Sequence, residues 1–132
     1  MAETLTHLDQ PPQWAIDFTN EIDTLQFGPG FSRLTDKTEF SFGTTKMVGA
    51  DAVKQFFHRI DDSLDTAHRT LDFWQGQSYH ILRGEADLKK KDGTGTKLTD
   101  PYMWIFYMDK NDPEKFERIF IVNGPVQTEN IL

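Results

Sequence analysis

Four histidines, His7, His58, His68 and His80, are the side chains of this sequence that titrate near neutral pH without special tuning. His7 lies in an N-terminal tail and His58 inside a helical segment, which leaves His68 and His80 as candidates for acid/base work. His68 falls just after the second helical segment. There it serves either as a proton acceptor and donor or as a cation at a helix C-terminus. His80 shares strand parity with Leu82, Gly84, Ala86 and Leu88, so it faces the core as a catalytic group or as a satisfied rim histidine. Tyr102 shares parity with Trp104 and Phe106. A buried phenol there can donate to a developing enolate oxygen, and a rim tyrosine at an interface is as common. Arg118 reads as inward with Phe116, Phe120 and Val122, where it needs a carboxylate partner or an anionic ligand oxygen. Arg33 sits in a turn and could orient a substrate carbonyl or lie in solvent. Asp36, in Asp-x-Thr, is either an acid or a turn-fixing side chain.

The elements that must position these groups follow from periodicity. Residues 1–11 read as a flexible polar tail, and residues 12–132 as one domain that starts at Pro11-Pro12. Trp14, Phe18, Ile22 and Leu25 recur at helical spacing with Asp17, Asn20, Glu21 and Asp23 between them. Gly28-Pro29-Gly30 ends that helix. Residues 31–34 suit a single turn, and residues 38–43 a short strand with Phe40 and Phe42 on one face. Gly49 opens a second helix with Val53, Phe56, Phe57, Ile60 and Leu64 as its apolar stripe and Asp61, Asp62 and Asp65 toward water. Beyond about residue 68 the period becomes two. Residues 78–89 alternate as a half-buried strand, Asp92-Gly93 marks a hairpin turn, residues 101–109 are apolar on both faces, and residues 116–123 make a last strand. Helices followed by an antiparallel meander is the α+β pattern.

Composition narrows the function classes. The 132 residues carry 14 Lys+Arg against 21 Asp+Glu, a net charge of −7, which disfavours a nucleic-acid partner. Eleven Phe, three Trp and three Tyr point to a folded, aromatic-rich domain. No apolar run reaches the ~18 residues of a membrane span, so no membrane partner is expected. There is no cysteine, hence no thiol nucleophile and no thiolate metal site. A cytoplasmic location fits that usage. No phosphate-binding glycine loop, nucleophile elbow or His-Glu-x-x-His helix is present, and the histidine spacing does not suit a metal, so no cofactor and no metal is expected.

Leu34-Thr35-Asp36-Lys37-Thr38-Glu39-Phe40, the helix opening over Gly49–Phe57, His68, Arg83-Gly84-Glu85-Ala86 and Arg118-Ile119-Phe120-Ile121 ending in Gly124-Pro125-Val126 occur in an order and spacing that resembles the SnoaL-like polyketide cyclases of the nuclear transport factor 2-like superfamily. The resemblance implies a cone-shaped α+β barrel, with N-terminal helices packed on a curved antiparallel sheet around an apolar pocket. Three acid/base positions of such relatives fall here on Ala86, Trp104 and Val122, so no relative's mechanism carries over whole. The expectation is a cofactor-independent cyclase, isomerase or dehydratase acting on an apolar, polyketide-, terpenoid- or alkaloid-like molecule. His68 would be the leading acid/base group, with Tyr102, Arg118 or Arg33 on a developing negative charge, and His80 and Asp36 as further candidates. Trp14, Phe18, Phe42, Phe56, Trp104, Phe106 and Phe120 would line the ligand. The alternative is a non-catalytic binding or dimerisation module. Met103, Ile105 and Tyr107, with Ile119 and Ile121, read as an apolar outer face suited to a homodimer under either reading.

Overall fold

The computed structural model describes residues 3–123. Its elements run β1 (Thr6–Leu8), α1 (Gln13–Thr24), a 3₁₀ turn (Phe31–Arg33), β2 (Glu39–Phe42), β3 (Thr45–Val48), α2 (Ala50–Asp61), β4 (Leu64–Gln75), β5 (Tyr79–Lys90), β6 (Leu98–Met108) and β7 (Phe116–Asn123). The strands form one sheet in the order β1-β4-β5-β6-β7-β2-β3, antiparallel throughout except for the parallel β2–β7 pair. This is the expected α+β cone.

Alternation on β5 and β6 sets the core. Leu82, Trp104 and Phe106 meet Phe18 and Ile22 of α1 and Val53 and Phe57 of α2, all buried. Phe18 stacks on Phe31 with centroids 4.5 Å apart and meets Trp104 edge-on at 5.3 Å. Helix α1 stops at Leu25, which adopts a left-handed backbone (φ 55°), before the Gly28-Pro29-Gly30 segment expected to end it. That segment is tied down by Glu21, which is buried. Its carboxylate accepts the backbone N–H groups of Gly28, Gly30 and Phe31 at 2.7, 2.7 and 2.9 Å. In the loop before β2, Thr38 donates to the Phe116 carbonyl at 2.7 Å and accepts from the Thr35 N–H at 2.8 Å.

Several expectations are corrected. Part of the 1–11 segment, read as a flexible tail, is built into the sheet: β1 pairs with β4 through Thr6↔Gln75 and Leu8↔Phe73. Strand β4 starts at Leu64, so Leu64 belongs to the sheet rather than to the helix stripe. Asp61 is buried instead of facing water. On β7 the register jumps between Tyr107↔Arg118 and Met108↔Phe116, leaving Glu117 as an extra residue. Such a bulge reverses which side chains face in. Ile119 and Ile121 therefore point into the core, while Arg118, Phe120 and Val122 point out. Among the described residues, no helix is long and apolar enough to cross a membrane.

Candidate functional site

A cavity of about 170 Å³ opens where the C-terminal end of α2 meets the start of β4 and the middle of β5 and β6. Its walls are mostly apolar, from Phe42, Phe57, Ile60, Leu88 and Trp104. The polar groups that reach it are few: His68, Tyr102, Asp61, Asp100 and Asn123. Small-molecule sites have this composition, an apolar chamber with a few converging polar groups.

His68 stands on β4, well beyond the end of α2, so it does not cap that helix. Its imidazole is held from behind by Asp23 of α1. The Nδ1 lies 2.5 Å from Asp23 Oδ1, while the His68 backbone N–H donates to Oδ2 at 3.0 Å and Thr66 Oγ1 donates to Oδ1 at 2.8 Å. A carboxylate can only accept there, so Nδ1 carries the proton and Nε2 is the basic nitrogen. Cross-strand register puts His68 directly opposite Ala86. The methyl group of Ala86 leaves room there for the imidazole.

Tyr102 is buried beside it, edge-on to the imidazole with ring centroids 5.4 Å apart. Its hydroxyl donates to the Arg69 carbonyl at 3.4 Å, a long bond that another acceptor can replace. Burial, reinforced by Asp23, pushes the phenol well above its ordinary value, so it remains a proton-bearing donor. Gly84, opposite Tyr102 on β5, is required by this packing: a Cβ there would sit 2.5 Å from the phenol oxygen.

Asp61 closes α2 and forms, with Leu64, the partition between this cavity and a second, polar one of about 130 Å³ that also touches Asp23, Asp65 and Lys91. Among the described residues no hydrogen bond reaches its carboxyl group. Burial, with smaller contributions from Asp23 and Asp62 and against the opposing pull of His68, raises its pKa to about 6. Asp100 and Asn123 meet at the rim, Asn123 Nδ2 donating to Asp100 Oδ2 at 3.3 Å.

Of the other residues singled out from sequence, Phe42 and Trp104 line the cavity. Phe18 and Phe106 are sealed in the core, and Phe56 packs between Phe42 and Phe57 with Arg59 over its face at 5.5 Å. Phe120 and Arg118 are on the outer face because of the β7 bulge, with Arg118 4.4 Å over the Tyr107 ring. Asp36 is exposed in a turn secured by Thr35 and Thr38 rather than by its own side chain. Trp14, Arg33 and His80 gather at the opposite end of the strands, around a separate cavity. The sequence reading missed Asp23 and Asp61. Asp61 lies four residues after Phe57 and eight after Val53, on the buried stripe itself, and Asp23 stands in the same relation to Thr19 and Ala15.

No family model and no curated protein matches the chain in sequence. Solved structures match in shape. A protein assigned as a SnoaL-like polyketide cyclase from Shewanella denitrificans superposes with a TM-score of 0.74 at 13% identity, over 90% of this chain and 93% of that one. A protein with a ketosteroid isomerase-like fold from Catenulispora acidiphila, in complex with trimethylamine, gives 0.72 at 9% identity, over 87% and 88%. An LEH-like epoxide hydrolase from M. tuberculosis gives 0.67 at 10% identity, over 84% and 80%. At such identities the likeness is one of fold, and fold does not fix activity. The chain has the nuclear transport factor 2-like fold that SnoaL-like proteins share.

Proposed function

We propose that this protein catalyses proton transfer on a compact apolar small molecule, an isomerisation, dehydration or cyclisation that needs no cofactor. The observation that carries the reading is His68, oriented by Asp23 and placed at an apolar cavity together with Asp61 and Tyr102. Nε2 of His68 takes a proton from carbon or oxygen. Asp23 stabilises the imidazolium that forms. Tyr102 donates to the oxygen on which negative charge develops, exchanging its long bond to the Arg69 carbonyl for a shorter one. Asp61, with a pKa of about 6, returns a proton to the product. The modest cavity volume suits one or two fused rings rather than a long polycycle. Arg118, Arg33, His80 and Asp36 have no part in this mechanism.

A general-base probe tests it. 5-Nitrobenzisoxazole is a compact bicycle whose ring opens on loss of one proton to a positioned base. The expected result is saturable turnover that falls by about 10²–10⁴-fold in His68→Ala, the usual contribution of a positioned base, and less in Asp23→Asn. Turnover equal in wild type and His68→Ala refutes the reading.

The outer face supports self-association as well. The bulge sets Phe120 and Val122 beside Ile105 and Met103 in register, and Met103, Phe120 and Val122 are 39, 38 and 53% exposed. This contiguous apolar patch on the sheet is suited to a homodimer, with Phe120 and Val122 in the places expected of Ile119 and Ile121.

A further inference from the structure

At the other end of the strands lies a cavity of about 320 Å³, between the N-terminal end of α1, the β4–β5 hairpin and the loop before β7. Six residues separate His80 from Ala86 along β5, about 20 Å at a strand's rise, so it is remote from His68. Fully buried Phe18, Leu82 and Phe106 fill the space between.

Two features make it more than a dent. One wall is aromatic: half-buried Trp14 faces the cavity, backed edge-on at 5.7 Å by the buried Phe73, and both contact the His80 ring, at 5.7 and 5.8 Å. The other feature is a set of donors without enough acceptors. His80 is 9% exposed, and its Nδ1 accepts the Gly76 N–H at 3.3 Å. The proton is therefore on Nε2, for which the described residues supply no partner. No fully buried polar atom among them lacks a bond, so Nε2 is one of the polar surfaces the cavity presents. Arg33 lies 5.3 Å over the Trp14 ring and spends only Nη1 on the protein, donating to the Glu114 carbonyl at 3.2 Å. Lys115 adds a second cation nearby, its Nζ on the Ser32 carbonyl at 2.8 Å. The acidic groups at this end include Glu114 on the rim, Asp109 and Asp112 in the loop before β7, whose carboxylates accept backbone N–H groups of that loop, and Glu3, whose carboxylate is engaged by the N–H groups of Gln77 and Ser78. Burial lowers the pKa of His80, which keeps it a neutral single donor at pH 7.

We propose that this cavity is a second ligand site, for a small aromatic carboxylate. The ring lies against the Trp14–Phe73 wall, and the carboxylate accepts from the free edge of the Arg33 guanidinium and from His80 Nε2–H. A planar anion matches a guanidinium fork and an aromatic wall better than an alkyl ammonium or a neutral sugar would. The site is independent of proton transfer at His68.

Benzoate is the probe, followed by two-dimensional NMR of the uniformly labelled protein at pH 7. Saturable shifts of the Trp14 indole N–H and the His80 ring signals, with His68 unmoved, are expected. Arg33→Gln, a change at a half-exposed position, should weaken binding by about tenfold, and uncharged benzamide should bind more weakly than benzoate. Three results would overturn the proposal: no saturable shift, shifts confined to His68 and Tyr102, or equal binding of benzamide and benzoate. Because the wild-type spectrum alone decides the first two, a poorly folded variant does not shield the idea.

Discussion

Replacing Asp61 with asparagine tests the electrostatics of the site without any substrate. A carboxyl group whose pKa rises from 3.8 to about 6 on folding is bound to more protons in the native than in the unfolded protein between those values. Stability therefore falls as pH rises through that window, by about 1.4 kcal/mol for each pKa unit, or about 3 kcal/mol in all. Asparagine has the shape of the protonated acid and does not titrate. At pH 4 the two proteins should differ little; at pH 7.5 Asp61→Asn should be the more stable by up to about 3 kcal/mol. Urea unfolding followed by tryptophan fluorescence at several pH values measures the difference. Subtracting wild type from variant cancels the opposite trend of exposed carboxylates such as Asp72, held below its ordinary value by His7 and Arg83. A difference that stays flat from pH 4 to 7.5 would refute the claim that Asp61 is buried at a cost.

Glu21→Gln should destabilise the fold by about 2–3 kcal/mol, because an amide cannot accept three backbone N–H groups as a carboxylate does; urea titration reads this directly. Gly84→Ala should lose about 1–3 kcal/mol and move the Tyr102 ring signals, since the added methyl meets the phenol and the Arg69 carbonyl. Phe120→Glu should abolish the proposed homodimer in sedimentation and leave a folded 15.3 kDa monomer, whereas Ile119→Glu should unfold the protein, as Ile119 is fully buried.

The helices and the central strands were legible because their apolar spacing is unbroken over long stretches: Trp14 to Ile22 on α1, Val53 to Phe57 on α2, alternate residues on β5 and β6. What the pattern hid were phase changes. An extra residue at Leu71 in β4 and another at Glu117 in β7 shift the alternation midway. Counting by twos from Phe116 therefore put Arg118 and Phe120 on the wrong face. Strand β3, Thr45-Lys46-Met47-Val48, packs only Met47 partly against the core, too little to betray it, and follows a turn at Gly43, where φ is +60°. At the site, Tyr102 and His68 could be nominated from type and position. Asp23 and Asp61 could not, because a carboxylate at the end of a helix is read as solvated, even in line with the buried stripe, until the opposing sheet is in place.

The partition formed by Asp61 carries a consequence for turnover. In the proposed reaction, a substrate filling the His68 cavity displaces the water from which an acid there would regain its proton. Asp61 touches a second chamber on its far side, lined by Asp65 and Lys91. Its carboxyl group can be recharged from behind while the reaction chamber stays dry. Reprotonation and product departure are then separate events, and neither has to wait for the other.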